Sequence, residues 1–268
     1  MAAGPDRIFT HSRRLLPWLI PAALLLVWLL AGVKSWIPDY LLPPPDRVAA
    51  ALFSYICAEP HSTPYAGRFW SDLPASLMRV LSGFGLATLL ALPLGIMSGR
   101  VRAVEGLLST TLNAVRTVPG ICWLPLTLVW FGVGRGATIF LVALAAFFPV
   151  YLNAADGARR INPLLYRSGA MLGIGPWRGV FAILMPACMP QIITGLRLGL
   201  GLAWAYLVLG ELTGVSDGLG AVIMDARMIG RIDMILTGII VIAVVGRLSD
   251  LLLKTGLKLL FKSARRLG

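Results

Sequence analysis

Long uninterrupted apolar runs constrain this chain more than any other feature of its sequence. Six runs are found, at about 15–33, 74–98, 105–131, 136–156, 191–213 and 232–253. A helix that crosses a bilayer needs roughly 20 predominantly apolar residues. Backbone amides in hydrocarbon must bond within the protein, so only helices and closed barrels span it. Barrel strands would alternate apolar and polar residues, whereas these runs are unbroken. They predict an all-α integral membrane protein with about six transmembrane helices, the third of them interrupted by Pro119 and Pro125.

The charge content agrees with a lipid-facing surface. Charged residues make up 13% of the chain and hydrophobic residues 57%, whereas a soluble domain carries about 25% charged residues. The net charge of +12 would suggest nucleic acid binding in a soluble protein. Here the basic residues lie in short stretches between apolar runs, so we expect no nucleic acid partner and interpret them as topology signals.

Those cations predict the orientation. With the N-terminus placed in the cytoplasm, the inside segments carry Arg7, Arg13, Arg14, Arg100, Arg102, Arg159, Arg160, Arg167, Arg178, Lys254, Lys258, Lys262, Arg265 and Arg266. The outside segments hold fewer cations and most of the acidic residues. Cytoplasmic loops are enriched in Lys and Arg. Both termini are therefore predicted to be cytoplasmic, as an even number of spans requires. The run at 15–33 is too long for a signal peptide and is predicted to be retained.

Two segments are longer than simple connections. The segment 34–73 contains a predicted short helix through Val48 to Cys57, with Asp46 as its cap. The segment 157–190, here called the long loop, is amphipathic and lies on the predicted inside. Gly173, Gly175 and Pro176 predict a sharp turn between two short cytoplasmic helices, and Pro186 and Pro190 predict the end of the second helix. Connections in helical bundles usually take about 2–8 residues, so we expect the long loop to dock onto a partner.

No nucleotide or metal motif is evident. The chain has no Gly-x-x-x-x-Gly-Lys-Ser/Thr sequence, so it lacks the phosphate-binding loop that would let it bind ATP in that way. The three cysteines are far apart without Cys-x-x-Cys spacing, and neither histidine has metal-ligand neighbours. We therefore expect this chain to bind no cofactor and no metal.

The long loop carries a family resemblance. The stretch from Arg167 through Gly173 and Met-Pro186 to Gly-Leu-Arg197-Leu-Gly resembles the EAA loop of binding-protein-dependent ABC importer permeases. Further matching motifs share this order along nearly the whole chain: Arg116-Thr-Val-Pro119, Trp123-Leu-Pro125, Trp130-Phe-Gly-Val-Gly134, Phe148-Pro149-Val-Tyr-Leu-Asn153, Gly210-Glu211-Leu, Gly218-Leu-Gly220 and Asp225-Ala-Arg227. They resemble the taurine, aliphatic sulfonate and nitrate branch of that family.

The resemblance implies a type I ABC importer permease fold, with 1–268 as a single transmembrane domain and 157–190 as its coupling loop. It implies a bacterial inner-membrane protein, a second permease copy in a homodimer, and two ATPase subunits that hold ATP and Mg. A periplasmic or lipid-anchored solute-binding protein would deliver the solute. One position departs from the family pattern, because Arg167 stands where the family usually has the glutamate of Glu-Ala-Ala.

Candidate residues fall in two groups. Those predicted to couple to the ATPase are Arg167, Gly169, Leu172, Gly173, Ile174, Pro176, Trp177 and Pro186. Those predicted to line the translocation pathway are Arg116, Pro119, Trp123, Trp130, Trp204 and Glu211. Ionisable residues in a membrane are costly and point to function, but a structural ion pair remains open for Glu211, and backbone pairing or snorkelling for Arg116. Arg79 and Arg197 are interpreted as anchors near the membrane boundaries.

Other functions remain as alternatives. An ion-coupled secondary transporter would carry acidic residues deep in several spans, and here Glu211 is nearly alone. A membrane-embedded enzyme would show a clustered catalytic set within the spans, and the sequence shows none. Sulfonates, taurine, nitrate and pyrimidine precursors all stay open as solutes, because the binding protein sets most of the specificity in such systems.

Overall fold

The computed structural model describes residues 6–34, 36–59 and 62–260, and side chains within them except at 6–18, 176, 177 and 260. Its described part is built of helices joined by short turns. The α-helices are α1 (Asp6–Val33), α2 (Pro45–Cys57), α3 (Phe69–Arg100), α4 (Arg102–Thr117), α5 (Leu124–Phe131), α6 (Arg135–Arg159), α7 (Pro163–Met171), α8 (Pro176–Gly179), α9 (Met185–Glu211), α10 (Leu219–Met228) and α11 (Ile232–Leu260). A 3₁₀ turn, Gly120–Trp123, precedes α5, and a π-helical segment, Val180–Leu184, precedes α9.

Four of the described helices are long and apolar enough to cross a membrane. They are Phe69–Arg100, Arg135–Arg159, Val180–Glu211 and Ile232–Leu259, and they contain the predicted second, fourth, fifth and sixth spans almost completely. The first predicted span lies in α1, whose apolar stretch Leu19–Val33 is described in full. Residues 15–18 of that prediction have side chains outside the described ones.

The predicted third span is bent. α4 and the segment Gly120–Phe131 meet at 90°, and the break falls where the sequence predicted it, at Pro119. Proline disfavours helical conformation in the residue before it, and Val118 is extended with φ −74° and ψ 119°. The second predicted interruption is wrong, because Pro125 lies in the first turn of α5. A helix tolerates proline there, since the first-turn amides have no helical partner.

The fifth span also differs from its prediction. Pro186 and Pro190 were expected to close a helix, but the chain stays helical from Pro176 through α9. Pro186 occupies the first turn of α9, directly after the π-helical segment. Local π-helical turns re-route backbone bonds, which lets the helix continue past proline.

The chain divides into two compact units, and the larger comprises 69–224 and 238–268. Its core is formed by α3, α6 and α9, which pack through small residues. A Cβ on Gly95 of α3 would lie 2.5 Å from the Tyr151 carbonyl oxygen, and one on Gly195 of α9 would lie 2.7 Å from the Asn153 Cβ. Small residues at helix interfaces let backbones approach closely in membranes, so these glycines set the spacing of the core.

The smaller unit comprises 1–68 and 225–237. The helix predicted near 48–57 is confirmed as α2, whose buried face carries Val48, Ala51 and Tyr55. The predicted cap is wrong: Pro44 occupies the N-cap without a side-chain bond, and Asp46 lies inside the first turn. The Trp28 indole of α1 donates to the Pro43 carbonyl at 3.1 Å and ties α1 to the start of α2.

Candidate functional site

The long loop folds into a capped helix followed by a tight turn. Asn162 caps α7 by accepting a hydrogen bond from the Leu164 amide at 2.9 Å, and Pro163 follows at the first helical position. The Arg100 guanidinium lies 4.2 Å from the centre of the Tyr166 ring, which attaches α7 to the end of α3. Burial raises the pKa of the Tyr166 phenol, while the Arg100 charge acts in the opposite direction.

The turn after α7 depends on Gly173. This residue has φ +76°, a left-handed conformation that favours glycine. Its amide bonds to the Ala170 carbonyl at 3.0 Å, and the Ile174 amide bonds to the Gly169 carbonyl at 3.0 Å. These two bonds form a Schellman motif, a common way to end a helix. The sharp turn predicted from the glycine–proline spacing is therefore present.

The long loop has two arms, which are α7 before the turn and α8 with the π-helical segment after it. The two arms pack against each other at Gly169. This glycine is buried, and a Cβ there would lie 2.5 Å from Ile183 Cδ1 and 3.7 Å from Ile174 Cδ1. A larger residue there would displace the end of the Ile183 side chain. The contact makes the two arms one packed element.

Many exposed side chains on the outer surface of the long loop are apolar, and exposed arginines lie among them. Its exposed side chains include Leu164, Leu165, Met171, Leu172 and Phe181, with Met171 at 88% and Leu172 at 80% exposure. Exposed apolar patches of this kind mark interaction sites.

Other predicted coupling residues lie on or near this surface. Arg167 and Pro186 are exposed, while Ile174 is half-buried. Pro176 and Trp177 belong to α8, and their side chains lie outside the described ones.

An open cavity of about 790 Å³ lies beside the bend between α4 and α5. Its lining brings together α4, the 3₁₀ turn, α6 and α9. The residues are Val115, Arg116, Val118, Pro119, Gly120, Trp123, Leu144, Ala145, Phe148, Pro149, Leu152, Asn153, Arg197, Leu198, Gly201, Leu202 and Tyr206. Three of the predicted pathway residues, Arg116, Pro119 and Trp123, thus share one cavity.

Arg116 is the cationic residue that α4 contributes to this cavity. It is exposed in the last turn of α4 and also borders a neighbouring cavity of about 450 Å³. The carboxylates of that second cavity, Glu105 and Asp156, pair with Arg159 and Arg160. Within the described part of the chain, no ion pair neutralises Arg116.

The bend between α4 and α5 packs against α9. A Cβ on Gly120 would collide with the Tyr206 side chain, so the 3₁₀ turn lies directly against that ring. Asn153 lines the cavity from α6 and donates its amide to the Pro149 carbonyl at 2.8 Å. Sequence reasoning did not select Asn153, Tyr206 or Arg197 as pathway residues. For Asn153, a polar residue inside an apolar run, the sequence did offer a signal of a pathway-lining role.

The other three predicted pathway residues lie outside the cavity lining. Trp130 is 55% exposed, with its ring centre 5.9 Å from that of Phe140. Trp204 is buried and donates its indole N–H to the Ser249 hydroxyl at 2.8 Å. Glu211 is fully buried. Their roles stay predictions.

Glu211 belongs to a buried polar network, together with Arg79 of α3. Arg79 Nη1 donates to Glu211 Oε1 at 2.7 Å and to the Asp217 carbonyl at 2.7 Å, and Nη2 pairs with the Asp217 carboxylate. The Ser76 hydroxyl and the Gly220 amide also donate to Glu211, each at 2.8 Å. The interpretation of Arg79 as a boundary anchor is therefore wrong, since only 1% of its side chain is exposed.

A protein-family model described as the inner membrane component of binding-protein-dependent transport systems matches residues 91–263. The chain belongs to this family. The taurine transport system permease protein TauC of Escherichia coli is 34% identical to it over 253 residues, 90% of each chain. A Bacillus subtilis protein named as an aliphatic sulfonates transport permease, SsuC, is 35% identical over 232 residues, 87% of this chain and 81% of that protein.

Among solved structures, an inward-facing MetNI methionine ABC transporter chain matches with a TM-score of 0.56 and 18% identity. The match covers 72% of this chain and 98% of that one, and it shows the fold. The resemblance to ABC importer permeases of the taurine and sulfonate branch is confirmed, as is the type I permease fold. This protein is a multi-pass inner-membrane permease and a transport subunit.

Proposed function

We propose that this permease imports a small anionic solute of the sulfonate type, driven by ATP hydrolysis in two partner subunits. The observation that carries the proposal is the open cavity in which an unpaired Arg116 faces a mainly apolar lining. Relatives named for taurine and aliphatic sulfonates support the solute class. A second permease copy and a periplasmic or lipid-anchored binding protein complete the proposed transporter.

The chemistry of the cavity suits a transient anion. Guanidinium groups form paired hydrogen bonds with oxyanions, and a sulfonate offers such oxygens. A pathway must bind its solute strongly enough to admit it and weakly enough to release it. Arg116 supplies attraction, and the surrounding Trp123, Phe148 and Leu202 side chains add few polar contacts that would hold the solute.

The long loop supplies the proposed coupling to ATP. Its exposed apolar surface, centred on Met171 and Leu172, offers a docking face for an ATPase that carries ATP and Mg. Because Gly169 packs the two arms together, a push on this surface would move the loop as one element, and α9 continues directly from its second arm. In this arrangement the long loop and both termini face the cytoplasm.

Reconstitution tests the proposal directly. The permease would be placed in proteoliposomes with its ATPase and binding protein, and uptake of radiolabelled taurine would be followed with ATP on the ATPase side. We expect accumulation that requires ATP and is insensitive to a proton or sodium ionophore. Uptake without ATP that an ionophore abolishes would instead establish an ion-coupled secondary transporter.

A substitution at Gly173 tests the coupling role of the long loop. Gly173→Val forces a β-branched residue into a left-handed turn, which costs roughly 1–2 kcal/mol even for an ordinary side chain, and distorts the docking face. We expect taurine uptake to fall by about tenfold or more while membrane insertion is unchanged.

Gly175→Val is the matched control, because Gly175 also has open space around its Cβ position but has no left-handed φ. Its uptake should stay close to wild type. Equal uptake by Gly173→Val and wild type would remove the turn from the coupling mechanism.

A further inference from the structure

A third cavity, of about 460 Å³, lies between α9 and the second half of α11. All its lining residues belong to the larger compact unit. They are Ile193, Thr194, Arg197, Leu198, Asp250, Lys254 and Lys258. Three of these side chains are cationic and one is anionic, in a chain with few charges.

The single carboxylate of this cavity is already engaged. Arg197 donates to Asp250 through Nε at 2.7 Å and Nη2 at 2.9 Å, a two-point pair. Arg247 Nη1 adds a third contact to Asp250 at 3.2 Å. The Lys254 charge also acts on Asp250 without forming an ion pair, so three cations share one negative charge.

Lys254 and Lys258 are left as the unbalanced charges. Both are half-buried, and neither forms an ion pair with a described carboxylate. They stand four residues apart on one helix, where like charges repel each other. An anion between them would relieve that repulsion and satisfy donors that Asp250 does not reach.

Apolar side chains also line this cavity. Ile193 and Leu198 lie beside its polar groups, and Leu198 is 55% exposed. Basic pockets between transmembrane helices bind anionic lipid headgroups on the cytoplasmic side. We propose that this cavity binds the phosphate group of an anionic phospholipid, with Lys254 and Lys258 as its ligands and Leu198 beside its acyl chains.

The site would join two helices that few direct interactions connect. The described polar contacts between α9 and α11 are Arg197–Asp250 and the Trp204–Ser249 hydrogen bond. A phosphate in the cavity would add lysine contacts at the far end of α11. Bound lipid should therefore raise the thermal stability of the protein.

The experiment titrates the detergent-purified full chain with phosphatidylglycerol and follows thermal unfolding. Parallel titrations use phosphatidylcholine, which has no net charge, and inorganic phosphate. We expect phosphatidylglycerol to raise Tm, with little change from the other two. The double variant Lys254→Gln/Lys258→Gln should lose more than half of that shift, and its apparent lipid affinity should fall by about thirtyfold, since each lysine near a membrane surface contributes about 1 kcal/mol.

Two further variants separate this site from general charge effects. Arg102→Gln/Arg178→Gln removes two exposed cations outside the cavity lining and should keep the full shift. Lys254→Arg/Lys258→Arg preserves the charge and should keep most of it. An equal shift in the glutamine double variant, or an equal shift with phosphatidylcholine, would overturn the proposal. A full shift with inorganic phosphate alone would overturn the assignment to a lipid.

Discussion

Two arginines among apolar helices occupy opposite environments. Arg79 is 1% exposed and gives its donors to Glu211 and Asp217. Arg116 is exposed to a cavity of about 790 Å³ and has no ion-pair partner among the described residues. The first has all the features of a structural group, and the second is free to meet a solute.

The difference lies in what surrounds each charge. A charge in a low-dielectric interior is retained only with a partner, and removal of that partner costs several kcal/mol. A charge that borders an aqueous cavity keeps its hydration, so its removal costs little stability. Stability and transport should therefore respond in opposite order to substitutions at the two arginines.

The largest effect is expected from Arg79→Met. It leaves Glu211 buried without a cation and should lower the free energy of unfolding by about 3–5 kcal/mol. Thermal unfolding of the detergent-purified protein and the yield of the folded peak in size exclusion would measure this. Arg116→Met is the matched control and should unfold like wild type. Equal losses of stability in the two variants would show that burial does not set the cost of removing each arginine.

A double variant sharpens the interpretation. Arg79→Met/Glu211→Met removes both partners of the buried ion pair, and Asp217 can be hydrated because 37% of its side chain is exposed. We expect the double variant to be more stable than Arg79→Met alone. If it were less stable, the cost would come from lost packing rather than from an unpaired carboxylate.

The next effect in size is expected from Glu211→Gln. The amide keeps one acceptor oxygen, but its NH₂ replaces the other where Ser76 and Gly220 donate, while Arg79 retains Asp217. A loss of roughly 1–3 kcal/mol is expected, smaller than that of Arg79→Met. Thermal unfolding measures it, and Glu105→Gln, at an exposed ion pair, provides the control.

These environments could be inferred from sequence only where the determinants are local. The turn at Gly173 and the break at Pro119 follow from a few neighbouring residues, and both are present. Arg79 and Glu211 lie 132 positions apart, so no residue near Arg79 in the sequence indicates its partner. The sequence places Arg79 near a span boundary, which is where an anchor is expected.

The helix through Pro186 shows a second limit. Proline is a strong local signal for a helix end, but the π-helical segment Val180–Leu184 and packing in the α3, α6 and α9 core let the helix continue. Likewise Asn153 and Tyr206 became candidates only once packing placed them in one cavity with Arg116. Which face of each helix points into a cavity depends on tertiary contacts that local patterns do not contain.

Arg116→Gln addresses the functional arginine. Charge-assisted hydrogen bonds contribute roughly 1.5–3 kcal/mol, so loss of the cation should reduce taurine uptake at least about tenfold with no change in thermal stability. Reconstituted uptake at several taurine concentrations measures this. Arg102→Gln, an exposed residue of α4 outside the cavity lining, serves as the control. Unchanged uptake by Arg116→Gln would remove Arg116 from the pathway.

Arg197 lies between the two extremes, and its removal should give a small loss of stability, between those of Arg79 and Arg116. Its side chain is 38% exposed and pairs with Asp250, which also contacts Arg247 at 3.2 Å. Arg197→Gln therefore leaves Asp250 with a second cation, and the loss should be about 1 kcal/mol or less. Thermal unfolding of Arg197→Gln and of Arg79→Met measures the ratio of the two stability losses.

The double variant Arg197→Gln/Arg247→Gln deprives Asp250 of both arginines. It should lose more stability than the sum of the single variants, because only then does the carboxylate lose every guanidinium partner. A loss for Arg197→Gln as large as that of Arg79→Met would mean that burial and a second partner do not govern the cost of these charges.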